Sequence, residues 1–124
     1  SGAVIQVPKR DADGNAIGGV RLPDLAVPRG THGGQNLTLR SCMLLGSYSA
    51  FAKTKAAREA AGDARLSIAE RYRNRDDYLN RIRVAVQELL KAGFLLPDDA
   101  AVITQAAAAN SAFGPAVTDP AKAN

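Results

Sequence analysis

At 124 residues the chain fits one domain, and with three Tyr, three Phe, no Trp and an apolar count carried largely by Ala it can build only a thin core. A formal net charge of +4, with basic residues interleaved among acids from Lys53 onward, lacks the clustered stripe and stacking aromatics of a nucleic-acid surface. The one cysteine, Cys42, rules out an intrachain disulfide and a multi-Cys zinc site, and no run is long and apolar enough to span a bilayer.

Residues 1–46 hold most of the glycines. Val4, Ile5 and Val7 suit a short strand, and Val20 with Leu22 suits another, with Asp13-Gly14 as turn residues between them. Pro8, Pro23 and Pro28 interrupt these runs, so the expectation is an edge hairpin or an extended arm. No helical period runs through this part, and no basic stretch leads into an apolar segment as a signal peptide would require.

Residues 47–109 read as helical. A first helix is expected over 49–61, stopped by Gly62. Ser67 and Glu70 have capping-box spacing and start a short helix through about Tyr72. Asn74 caps the strongest helix, 75–92, which stops at Gly93. Its Leu79, Ile82, Val86, Leu89 and Leu90 share one face, opposite Asn80, Arg81, Arg83, Gln87 and Lys91. Pro97, followed by Asp98 and Asp99, opens a last helix to about Ala109, and residues 110–124 form a loose tail of Ala, Pro and polar residues. The fold class expected is mainly α with an extended or short-stranded N-terminal arm.

Candidate chemistry is sparse. Asp11, Asp13 and Asn15 alternate as calcium ligands do, but the sixth and twelfth positions of an EF-hand loop hold Ala16 and Leu22 rather than Gly and Glu. A turn is the better reading, since Gly accepts positive φ and Asp bonds its own backbone. His32 is the one histidine and the natural general base, yet Ser41, Ser47 and Ser49 lack the G-x-S-x-G setting of an activated nucleophile. "THGGQN" lacks the Lys-Ser/Thr ending of a phosphate loop. Cys42 sits among apolar residues as a small buried side chain would, and nothing in the spacing pairs it with His32. In "ERYRNRDDYLNRIR" acids interleave with Arg71, Arg73, Arg75, Arg81 and Arg83, as on a solvated helix face, with an interface to a larger body as the next choice. The residues therefore assign no catalytic, cofactor-binding or metal-ligating side chain.

Six pieces in order do carry a resemblance. "DADGN" leads to "GGVRLP" and "AVP"; "GSYSAFA" follows, then "SIAERY", then "LLPDD". Together, over most of residues 4–105, they resemble the C-terminal end of bacterial α/β-hydrolase domain-containing proteins. The resemblance implies the terminal part of an esterase-like hydrolase whose nucleophile elbow and catalytic histidine lie upstream, so that nothing catalytic carries over to these residues. The sequence departs from the family at "THGGQN", where Tyr is commoner at the place of His32 and Trp at that of Gln35, and the stretch 36–46 is shorter than is common. The implied partner is the upstream catalytic domain or a companion chain; a homo-oligomer is another way to cover a thin core. The arm would lie over the parent body and border its active-site mouth. The alternative is an independent helical module that binds a protein partner through Leu79, Ile82, Val86 and Leu89.

Overall fold

A computed structural model describes residues 2–4, 6–34 and 46–113. In chain order these form α1 (Pro23–Ala26), β1 (Gly30–Gly33), β2 (Ser47–Ala50), α2 (Lys55–Ala60), α3 (Ile68–Arg71), α4 (Arg75–Lys91), α5 (Pro97–Ala108) and a 3-10 turn (Ser111–Phe113). β1 and β2 are antiparallel, with His32 opposite Tyr48 and Thr31 opposite Ser49.

The expected hairpin of Val4–Val7 with Val20–Leu22 does not form among the described residues, of which Ile5 is not one. Val4 and Val7 are exposed in extended chain, and only a single bridge, Arg10 to Ala16, closes around Gly14 at φ +79°. Pro8 and Pro23 lack the N–H that a paired strand needs. Pro23 instead opens α1, a single turn too short to show a period. The hairpin that does form is β1–β2, so Ser49 and Ala50 are strand rather than helix. The helix begins later, where the Thr54 hydroxyl accepts the Ala57 N–H at 3.2 Å and caps α2.

The other helix signals appear as expected. Gly62 and Gly93 follow their helices at φ +66° and +78°, the left-handed turn that relieves orphan carbonyls. Asn74 accepts the Asp77 N–H at 2.8 Å. Tyr78, Ile82, Ala85 and Val86 of α4 pack with Val27, Phe51, Ile68, Tyr72, Ala100 and Ala107. Leu79 and Leu90 pack at the margin of that core, and α4 rests on α5 and α1. The face expected to dock a partner is thus largely spent inside the chain. Phe113, within the stretch expected to be loose, lies 4.9 Å from the Tyr78 ring, centroid to centroid; residues 114–124 lie outside the described ones.

The capping box of α3 is also a tertiary contact. Glu70 Oε2 accepts from the Ser67 N–H (2.9 Å) and hydroxyl (2.7 Å), while Arg58 donates to both carboxylate oxygens at 2.6 and 2.9 Å. Arg58, and then Ser67, hold the Glu70 carboxyl down to about 2. Arg65 does the same for Asp63, also to about 2. Both acids are stronger in the folded chain than in the unfolded one. Their stabilisation is therefore present at neutral pH and is lost as pH falls from about 4.5 towards about 2. Urea midpoints measured across that range should fall, and Glu70→Gln should flatten the slope; an unaltered slope would remove Glu70 from this account.

Candidate functional site

The pentapeptide at residues 11–15 is a staple. Asp11 Oδ1 accepts the backbone N–H groups of Asp13 (3.0 Å) and Asn15 (2.9 Å), and Oδ2 accepts from Arg21 Nη2 at 2.9 Å. Both Asp13 oxygens face the Arg71 guanidinium, Oδ2 at 2.7 Å from Nη1. Asn15, fully buried, donates Nδ2–H to the Gly30 carbonyl at 3.0 Å and accepts the His32 N–H on Oδ1 at 2.8 Å. Each side-chain oxygen that a cation would use meets an N–H donor here. The stretch is a turn whose side chains pin the edge of β1, as a neighbouring strand would.

Further contacts fix the β1–β2 hairpin on its Thr31–Ser49 side. Thr31 donates its hydroxyl to the Asp13 carbonyl. Arg65 Nη1 donates to Thr31 Oγ1 (2.9 Å) and to the Ser49 carbonyl (3.0 Å). Side chains alternate along a strand, so His32 and Tyr48 share the opposite face. Their rings lie 4.9 Å apart, tilted by 49°. Gly30, on the same face, makes room for the phenol: a Cβ there would sit 2.7 Å from the Tyr48 ring and 2.5 Å from the Ser49 carbonyl oxygen.

Asp24 of α1, Arg29 of the following loop, His32 and Tyr48 line a recess of about 250 Å³. Arg29 Nη2 stands 3.8 Å from Asp24 Oδ1, within ion-pair reach but too far for a hydrogen bond. The Tyr78 hydroxyl lies close enough to Arg29 and Asp24 to feel both charges, and burial pushes its pKa up. It is buried against the Arg29 guanidinium without a hydrogen bond of standard geometry among the described residues. A second hollow, of about 230 Å³, shares Arg29 and Tyr48 with the first and continues past Phe51, Lys53 and Ile68.

His32 is therefore set beside a phenol and a guanidinium rather than a serine. Ser47 and Ser49 point to the other face of the sheet, and the Ser67 hydroxyl is held by Glu70. Ser41, Cys42 and Gln35 lie outside the described residues. Among the described residues no group of three or more His, Cys, Asp or Glu is arranged to hold a metal ion. The recess residues Asp24, Arg29, His32 and Tyr48 have no mutual spacing that sequence reasoning could detect.

The Arg-rich run divides. Arg73 and Arg81 pair with Asp77 one turn away, at 3.6 and 3.2 Å, as a solvated face does. Arg71 departs from that expectation: besides holding Asp13, its guanidinium lies 4.0 Å from the Phe51 ring centroid.

A family model described as alpha/beta hydrolase domain matches residues 2–105. No curated protein and no solved structure matches the chain. No helix among the described residues is long and apolar enough to cross a membrane.

Proposed function

The chain belongs to the alpha/beta hydrolase domain family, and on that footing we propose that it is the non-catalytic, C-terminal part of an esterase-like hydrolase. It packs on the body that carries the nucleophile and borders that body's active site. Ester cleavage there uses a serine activated by a histidine, neither supplied by this chain. Exposed apolar surface is the observation that carries this reading. Val4 is 92% and Val7 67% exposed, and Ile17, Val20 and Leu22 of the same arm are exposed too. All four residues of β2 are exposed as well, and a two-stranded sheet is marginal in water without further strands or a covering layer. The covering body is an upstream stretch of the same polypeptide or a companion chain.

The purified chain should hydrolyse p-nitrophenyl butyrate no faster than buffer. A saturable rate that disappears in His32→Ala contradicts the non-catalytic role. A stable dimer that protects the arm from proteolysis would put a second copy of the chain in place of the catalytic body.

A further inference from the structure

We propose that residues 110–113 form a strap that opens and closes over an apolar groove, hinged at Asn110 and latched by Phe113. The inference goes beyond the hydrolase reading and does not depend on it, since hinge, latch and groove all lie within this chain.

The two ends of the strap are held differently. On the hinge side α5 is fixed. The Ala109 N–H donates to the Gln105 carbonyl at 3.0 Å, and the Arg75 guanidinium, from the first turn of α4, donates to the Ala108 carbonyl. The Asn110 N–H still reaches the Ala107 carbonyl, at 3.3 Å. Beyond it the Ala112 N–H turns back to Asn110 Oδ1 at 2.8 Å, inside the strap itself. Among the described residues, no hydrogen bond joins Ser111, Ala112 or Phe113 to another element. The contact that closes the strap is the half-buried Phe113 ring, whose centroid lies 4.9 Å from that of Tyr78 and 6.0 Å from that of Tyr72.

Packing beneath the strap is incomplete. A hollow of about 370 Å³, lined by Tyr72, Arg73 and Phe113 among others, adjoins the hollow of about 230 Å³ that runs past Phe51, and both are walled by Lys53, Ile68 and Ala112. Ala112 thus divides two spaces over a shared floor, the buried Ile68. With the strap lifted they become one groove, floored by Ile68 and Tyr72 and rimmed by the Lys53 and Arg73 cations. One half-buried ring gains little more free energy than ordering four residues costs, so the closed and open states lie close together. The device hides this groove from solvent and from any covering body until Phe113 lets go.

The dye 8-anilinonaphthalene-1-sulfonate is a suitable probe, because its rings fit an apolar groove and its sulfonate meets the two rim cations. The unaltered chain should bind it weakly, the open state being the minor one. Phe113→Ala should bind it roughly tenfold more tightly or more, since apparent affinity scales with the fraction of chains that are open. Adding Lys53→Glu, a substitution at an exposed position, should take back about threefold or more of that gain. Amide dispersion and cooperative urea unfolding show that each variant is folded and that the dye is not reporting a loosened core. A folded Phe113→Ala chain that binds the dye no better, or a gain that Lys53→Glu leaves untouched, overturns the inference. Loss of cooperative unfolding in Phe113→Ala overturns it too, because Phe113 is then part of the core and not a latch.

Discussion

Asn15→Ala is expected to lower the unfolding free energy by roughly 2–4 kcal/mol, since a buried carbonyl and a partly buried N–H lose their partner, at about 1–3 kcal/mol for a buried group and less for the other. Those groups are the Gly30 carbonyl and the His32 N–H, on the edge of β1 away from β2. Asn15 is fully buried, so water does not readily replace it. Small domains are stable by only about 5–15 kcal/mol, so this is a large share of the total. Asn15→Asp tests the chemistry: it keeps an acceptor for the His32 N–H but sets a carboxylate oxygen against the Gly30 carbonyl, so it should rescue little. Urea denaturation reads both. A change below about 0.5 kcal/mol in Asn15→Ala, the scatter of ordinary surface substitutions, would mean that β1 does not depend on this side chain.

The second large effect belongs to the pair Asp13 and Arg71, which lie 58 residues apart in sequence. Their side chains are 17% and 13% exposed, and the Arg71 guanidinium also covers Phe51. Removing one partner of a fully buried pair costs about 3–5 kcal/mol; residual solvent access here brings the expectation for Asp13→Ala to roughly 2–4 kcal/mol. A double-mutant cycle with Arg71→Ala should give a coupling of about 1 kcal/mol or more, because the two side chains bond directly. Arg71→Lys should recover less than half of the Arg71→Ala loss, since an ammonium keeps the charge but neither the fork nor the stacking on the ring. Additive single substitutions would mean that the turn and α3 are held together by other contacts.

These two predictions show which part of the molecule the sequence made legible. Helix ends were readable because their causes are local: Asn74 caps three residues ahead, Ser67 and Glu70 answer each other across one turn, and Gly62 and Gly93 supply the positive φ that ends a helix. The β1–β2 hairpin was not readable. "GTHG" and "SYSA" are weak strand formers, and what orders them is distant: the Asn15 amide along one edge, Arg65 against the Ser49 carbonyl, and Gly30 beneath Tyr48. The opposite error has the same origin. Val4 and Val7 favour a strand by type, but within the described residues nothing lies beside them to pair with. The recess was invisible for a related reason, since Asp24, Arg29, His32 and Tyr48 come from three elements and a loop. The pentapeptide was half legible. Its turn followed from Asp-Gly chemistry, whereas its partners Arg21, Arg71 and Gly30 emerged only with the tertiary structure.

The most direct test of the assigned role is the intact mass of the purified chain after prolonged exposure to a fluorophosphonate ester, which phosphonylates any serine made nucleophilic by a neighbouring base. The mass is expected to stay unchanged, with His32 occupied beside Tyr48 rather than a serine. A stoichiometric adduct that maps to a serine of this chain and is absent from His32→Ala would contradict the account.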